Sequence, residues 1–380
     1  MSGLPRRDFA LEVYFSKWEF AAKHHLTASD AESISIEELL ALASPADRAA
    51  FGSMKLGYTE TWGSPALRAE IARTYDSVAA EDILCFAGAE EGIYAAMQVL
   101  LSAGDHVITV TPNYQAAETL PLSICEVSGV ALDPANDWNL DIEHVKAALR
   151  PNTKLISINF PNNPTGKVLP RATYEALVAI CRSRGIWLFS DEVYRLIERD
   201  SSVRMVQAVD AYERGISLNV MSKAYGLPGL RIGWLACKDR ELLRRLEHFK
   251  HFLSICNSGP SEQLALIALK ARERILERVR ALVEKNVALL DQFFARWPHL
   301  FEWRRPDGSC VAFVRYLGAD GVESFTERVI AEAGVLLLPA SIYRSDLGPV
   351  PDSYFRIGFG RTAVPAAVAA LEEWLVRNAR

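Results

Sequence analysis

Lys223 and Arg231 stand eight residues apart in the stretch Ser222-Lys223-Ala224-Tyr225-Gly226-Leu227-Pro228-Gly229-Leu230-Arg231-Ile232-Gly233, among small and apolar neighbours. A lysine amine forms a Schiff base with an aldehyde, and an arginine fork holds a phosphate dianion. A ligand that is at once an aldehyde and a phosphate ester would use both. Lysine and arginine are otherwise ordinary surface charges, so the pair takes its meaning from what surrounds it.

Four further stretches carry residue types that do chemistry. Phe160-Pro161-Asn162-Asn163-Pro164-Thr165-Gly166 offers an amide donor at Asn163, although Asn, Pro and Gly also make a plain turn. Ser190-Asp191-Glu192-Val193-Tyr194 offers a carboxylate at Asp191, which could equally cap a helix. Ala87-Gly88-Ala89-Glu90-Glu91-Gly92 precedes a helical pattern. The backbone N–H groups of Ala89 and Glu90 could hold an anion there, or the stretch is a simple strand-to-helix turn. Tyr354-Phe355-Arg356-Ile357-Gly358 places an arginine where it could clamp a carboxylate or lie at the surface of an edge strand.

The elements that must position these residues alternate. Leu67 to Tyr75, Ile93 to Leu101 and Thr173 to Ser183 read as helices. His106 to Val110, Leu155 to Phe160, Gly185 to Ser190 and Ile216 to Val220 read as short buried strands. Such alternation predicts an α/β large domain with a mostly parallel sheet flanked by helices on both faces. In an open parallel sheet, ligands bind beyond the carboxyl ends of the strands, where Asn163, Asp191 and Lys223 fall. Beyond Pro260 the pattern changes. Residues 261 to 296 read as one long helical region, followed by strands at Cys310 to Tyr316 and Val335 to Leu338 and a helix from Pro365 to Arg377. This predicts a smaller α+β domain. Residues 1 to 46 read as irregular and aromatic-rich, packed across it. The domain division expected is 47–265 for the large domain, with 1–46 and 266–380 forming the small one.

Composition narrows the function classes. The chain has 380 residues, half of them hydrophobic, and a formal net charge of −5. Its basic residues are interleaved with acids, as in Glu241-Leu242-Leu243-Arg244-Arg245-Leu246-Glu247. That is a solvated helix face and no nucleic-acid footprint. Cys85, Cys125, Cys181, Cys237, Cys256 and Cys310 are widely spaced, without metal-ligand spacing, which predicts reduced thiols and no metal site. No apolar run reaches the roughly 18 residues of a membrane span. Pro5-Arg6-Arg7-Asp8-Phe9 is faintly like a twin-arginine export signal, but Glu12, Lys17, Glu19 and Lys23 interrupt the apolar segment that should follow. The expectation is a cytoplasmic protein without a membrane partner.

Taken in order, Asn-Asn-Pro-Thr-Gly, Asp-Glu-Val-Tyr, Ser-Lys and Arg-Ile-Gly resemble the fold-type-I pyridoxal-phosphate enzymes. Within these the chain is most similar to the class I/II aminotransferases of the aspartate aminotransferase type, over roughly residues 50 to 375. The resemblance implies pyridoxal 5′-phosphate as cofactor, bound to Lys223, which also moves the Cα proton of the substrate. It implies Asp191 facing the pyridine nitrogen, Asn163 and Tyr194 donating to the phenolate oxygen, and Tyr114 stacked on the ring. The phosphate would lie against Arg231, the Ser222 hydroxyl and the N–H groups of Ala89 and Glu90. Arg356, with Asn163, would hold the substrate α-carboxylate. Tyr58 would reach the phosphate of a second subunit, making the active site the property of a homodimer.

Departures from the family pattern limit what carries over. Glu90 and Glu91 are acids beside an expected dianion, and both side chains are expected to point away from it. Leu26-Thr27-Ala28-Ser29-Asp30-Ala31-Glu32-Ser33 replaces the usual glycine-containing substrate loop, and Pro339-Ala340 replaces Pro-Gly. Phe15, Trp18, Tyr343 and Arg344 are candidates for the pocket, though each could equally be packing. The function expected is an aminotransferase acting on an α-amino acid and a 2-oxo acid. The alternative is a lyase, cyclase or oxidase that uses the same cofactor. A third possibility, the sensor half of a transcription regulator, would need a DNA-binding domain that residues 1 to 46 are too few and too irregular to form.

Overall fold

The computed structural model describes residues 7–378, so Pro5 and Arg6 of the export-like stretch lie outside the described residues. Its central sheet has seven strands in the order Ile83–Phe86, Gly233–Cys237, Gly215–Val220, Trp187–Asp191, Thr153–Asn159, His106–Thr111, Glu126–Ala131. All neighbours are parallel except Gly233–Cys237, which runs antiparallel to both of its partners. Every residue of Trp187–Asp191, Gly215–Val220 and Gly233–Cys237 is buried. Strands buried on both faces need a helical layer on each side. Ala89–Leu100 and Arg171–Arg184 are among the helices that flank the sheet.

Pairing in register sets the active end of the sheet. Asn159 is the partner of Asp191, and Asp191 is the partner of Leu218, four residues before Ser222. Three strands therefore end together, and their following residues share one rim.

A second sheet is antiparallel, in the order Leu338–Pro339, Tyr354–Gly358, Val311–Tyr316, Phe301–Glu302. Arg356 sits in an inner strand of it, not at an edge. A two-stranded parallel pair, His24–His25 with Val335–Leu336, ties the N-terminal segment to this region. Leu26 then accepts from the N–H of Gly358, and the N–H of Glu32 donates to Gly360. Gly358 is required here, because a Cβ on it would stand 1.9 Å from the carbonyl oxygen of Ala28.

Three expectations are corrected. Residues 1 to 46 are not all irregular: helices span Ala10–Trp18 and Ile36–Ala41, and a third begins at Pro45. The second starts at a capping box, with Glu38 N–H donating to Ser35 Oγ at 3.1 Å and Ser35 N–H to Glu38 Oε2 at 2.7 Å. Such reciprocal caps make short helices tenable. The long helical region divides into Gly259–Lys270 and Arg272–Arg296 at Ala271, whose ψ of 14° leaves the helix. Its apolar pattern runs on through the bend, so periodicity does not reveal it. The segment Val335 to Leu338 divides between two sheets.

Candidate active site

One cavity of about 330 Å³ lies beyond the carboxyl ends of the strands. It gathers Lys223, Asp191, Asn163, Tyr194, Tyr114, Ser222, Arg231, Ala89 and Glu90, which come from five separate stretches of chain. Lys223 lies three residues past the strand Gly215–Val220. Its Nζ donates to Ser29 Oγ at 2.8 Å and lies 6.0 Å from the Tyr194 ring centroid. Burial lowers its pKa, against the pull of Asp30. A lysine whose amine is more readily neutral is a better nucleophile.

Asp191 closes its strand. Burial pushes its carboxyl up to about 6, opposed first by the N–H of Val193, which donates to Oδ1 at 3.2 Å. Asn159, a lining residue that its motif does not mark, holds the Asp191 carbonyl through Nδ2 at 3.1 Å. The arrangement leaves a buried carboxylate that a cationic partner would pull back toward its ionised form.

An anion cradle forms on another wall. Gly88 precedes the helix Ala89–Leu100 with φ 98° and ψ 171°, which aims the unpaired N–H groups of the first turn outward. A Cβ on Gly88 would sit 2.4 Å from Nη2 of Arg231, so the missing side chain is what admits the guanidinium. Arg231 is exposed, and its own φ is 51°. Helix N–H groups, the Ser222 hydroxyl and an arginine fork make a site for a doubly charged oxyanion.

Several expectations need correction here. Glu91 does turn away: its carboxylate accepts from Ala87 N–H and from Ser254 N–H at 3.0 Å. Glu90 does not. It lines the cavity beside the Tyr114 hydroxyl, one of its oxygens is buried without a hydrogen-bond partner, and burial pushes its carboxyl up to about 7. The Tyr194 hydroxyl is not a free donor, since it donates to the carbonyl of Ser29 at 3.0 Å. The amide oxygen of Asn163 accepts from Tyr343 at 3.0 Å and from Arg356 Nη1 at 3.2 Å.

Arg356 does not line the cavity. It is fully buried behind Asn163, and its fork is spent on Asn163, the Tyr343 hydroxyl at 2.8 Å and the Thr27 carbonyl at 2.7 Å. Burying a guanidinium is costly unless it is hydrogen-bonded; the N-terminal segment supplies one acceptor, the Thr27 carbonyl, and Nε is left buried without a partner. Tyr58 is 94% exposed and outside the cavity of its own chain. Of the pocket candidates, Phe15 lines the cavity and Tyr343 stands behind Asn163, while Trp18 and Arg344 are elsewhere.

Sequence reasoning missed Glu12, Glu19, His25, Ser29, Asp30 and Arg361 as lining residues. Their only signal was the unfamiliar segment around Ser29. Glu12, Phe15 and Glu19 are spaced by three and four residues, the repeat of one helix face, on Ala10–Trp18 and its C-cap. Arg361 pairs with Asp30 through two bonds of 3.0 Å. Burial, then Arg361 and Arg356, hold the His25 imidazole down to about 4.

An amine, a buried carboxylate and an anion cradle around one cavity fit a ligand that is both aldehyde and phosphate ester. Comparison with known proteins agrees. Residues 31–370 match the family model of aminotransferase class I and II. The arginine–pyruvate transaminase of Pseudomonas aeruginosa is 31% identical over 84% of this chain and 83% of its own. The capreomycidine synthase of Streptomyces vinaceus is 26% identical over 99% and 94%. Among solved structures, a PLP-dependent aminotransferase from Streptococcus suis superposes with a TM-score of 0.91 at 32% identity, covering 98% and 99% of the two chains. The chain belongs to the class I and II aminotransferases, with the fold of type I pyridoxal-phosphate enzymes, and pyridoxal phosphate is its cofactor.

Proposed function

We propose that this aminotransferase moves the amino group of an α-amino acid to a 2-oxo acid, with Lys223 as the residue that binds the cofactor and carries the proton. The observation that carries the reading is the convergence of Lys223, Asp191 and the Gly88–Arg231 cradle on one cavity. Pyridoxal phosphate, when bound, supplies an electron sink that acidifies the Cα–H of an attached amino acid.

The chain's own residues do the rest. Arg231, Ser222 and the N–H groups of Ala89 and Glu90 hold the phosphate. Asp191 would face the ring nitrogen, where a proton held on that nitrogen would keep the buried carboxylate ionised. Asn163 and Tyr194 lie where the phenolate oxygen would be held, Tyr194 after releasing Ser29. Tyr114 lies against Phe9 with ring centroids 5.0 Å apart, and its ring would cover one face of the cofactor. Lys223, held by Ser29 before the amino acid arrives, takes and returns the proton at Cα. On displacement of the Thr27 carbonyl, Arg356, whose Nε is buried without a partner, would receive the α-carboxylate together with Asn163. A bidentate clamp of this kind fixes the direction of the Cα–H bond.

Tyr58, Leu56 and Phe252 are 94%, 84% and 80% exposed. A second copy of the chain would cover them and bring Tyr58 to its neighbour's phosphate, which supports a homodimer.

A second reading is a PLP-dependent cyclase or lyase, favoured by the near-complete match to capreomycidine synthase. An isotopically labelled amino group separates the two. Incubation with a 2-oxo acid should deliver the label to a new amino acid. Release of the label as ammonium, or its retention in a cyclised product, would reject the transaminase reading.

A further inference from the structure

The charges around the cavity do not balance. Its cations are Lys223, Arg231 and Arg361, and its acids are Glu12, Glu19, Asp30, Glu90 and Asp191. His25 adds no charge near neutral pH, since its imidazole is held down to about 4. Arg361 is matched by Asp30. In the reading above, the Lys223 amine is taken up by the cofactor aldehyde, Arg231 opposes the phosphate, and Asp191 opposes the ring nitrogen. Among the described residues, Glu12 remains without a counter-charge, Glu19 is opposed only by the Arg361 already bound to Asp30, and Glu90, its carboxyl held up to about 7 by burial, has no cationic partner.

These three share one region. Burial raises the pKa of both Glu19 and Glu90, Glu12 is close enough to add to each, and Arg361 opposes the rise at Glu19. Glu12 is exposed and Glu19 half-buried, which puts them at the mouth. Glu90 comes from the opposite wall, on the helix Ala89–Leu100, and its Oε2 is buried without a partner. A buried acceptor left unpaired is costly, and like charges brought together add to that cost. One incoming group with several N–H donors and a positive charge relieves both. Leu11 and Phe15, from the same helix face as Glu12, offer apolar surface to the methylene stem behind such a group.

We propose that the site selects amino acids whose side chains end in a guanidinium or ammonium group, with Glu12, Glu19 and Glu90 as the residues that determine this specificity. The inference rests on the transaminase reading for the placement of the cofactor. Acidic substrates are repelled by the same three carboxylates. Neutral apolar substrates leave Glu90 Oε2 unpaired, and a neutral ureido group can donate to it but supplies no charge.

L-Arginine and L-citrulline test this directly, because they have nearly the same shape and differ in side-chain charge. With the cofactor-loaded enzyme, binding by calorimetry and amino-group transfer to a 2-oxo acid are measured for both, with L-lysine and L-glutamate alongside. Expected is a preference for arginine over citrulline of at least tenfold in Kd and in kcat/KM, with glutamate poorest. In the double variant Glu12→Gln, Glu19→Gln, and separately in Glu90→Gln, the arginine-to-citrulline ratio should fall at least fivefold through KM or Kd. Transfer from citrulline or glutamate as efficient as from arginine or lysine would overturn the inference while leaving the transaminase reading intact. Selective binding of arginine without transfer would uphold the inference and reject that reading. A ratio unchanged in both variants would overturn the assignment to these carboxylates.

Discussion

Gly88→Ala should weaken cofactor binding by a route the structure makes calculable. Gly88 has φ 98° and ψ 171°, a region essentially closed to other residues, where an L side chain costs about 1–3 kcal/mol. The added Cβ would stand 2.4 Å from Nη2 and 3.0 Å from Cζ of Arg231. Those atoms end a flexible, exposed side chain, so the clash resolves by moving the guanidinium and not the backbone. The position lost is one charge-assisted contact to the cofactor phosphate, worth about 1.5–3 kcal/mol. That is roughly a 10- to 150-fold loss of affinity. Titration of pyridoxal phosphate into cofactor-free wild type and variant, followed by absorbance, measures the affinity. A urea midpoint measures the strain separately. A variant that loses stability but binds the cofactor as tightly as wild type would refute the anion cradle at Gly88 and Arg231.

Other perturbations probe other links. Lys223→Ala should abolish transfer, and borohydride reduction followed by peptide mass analysis should attach the cofactor to residue 223 of the wild type and nowhere on the variant. Arg356→Ala strands the acceptors of Asn163, Tyr343 and Thr27 and should cost about 1–3 kcal/mol of stability, besides raising KM for amino acids. An unchanged urea midpoint would contradict its sealed position. Gly358→Ala presses a Cβ against the Ala28 backbone, which has no flexible end to yield, so its stability loss should exceed that of Gly88→Ala in the same denaturation assay. Burial holds the Glu192 carboxyl up to about 7, opposed first by the Ala208 N–H. Between its ordinary value near 4.5 and about 7 the native state then binds more protons than the unfolded one, so this group's contribution to stability falls as pH rises. The melting temperature of Glu192→Gln relative to wild type, scanned from pH 5 to 7.5, should therefore rise with pH. A flat difference would refute it.

Much of this protein was legible in its sequence because the relevant signals are local. Alternating apolar runs and helical repeats named four of the seven strands of the large sheet and the layers, and missed Ile83–Phe86, Glu126–Ala131 and Gly233–Cys237. The rule that ligands bind past the carboxyl ends of parallel strands then put Asn163, Asp191 and Lys223 on one rim, and register pairing brings them together there. Spacing within motifs singled out Arg231, whereas the need for glycine at position 88 came from the structure. The side chains that complete the cavity were not legible, because the contacts that place them join distant parts of the chain. Ser29 meets Lys223 across 194 positions, and Thr27 meets Arg356 across 329. No period or local propensity encodes such a meeting. It follows from the N-terminal segment pairing with Val335–Leu336 and lying over Gly358, where only a missing Cβ allows the approach. Tertiary structure alone therefore decided that Arg356 is sealed, that Tyr194 is engaged, and that Glu90 turns inward to face the acids of the first helix. Sequence determined the chemistry at the strand ends, and the path of the N-terminal segment decided the charge that a substrate meets.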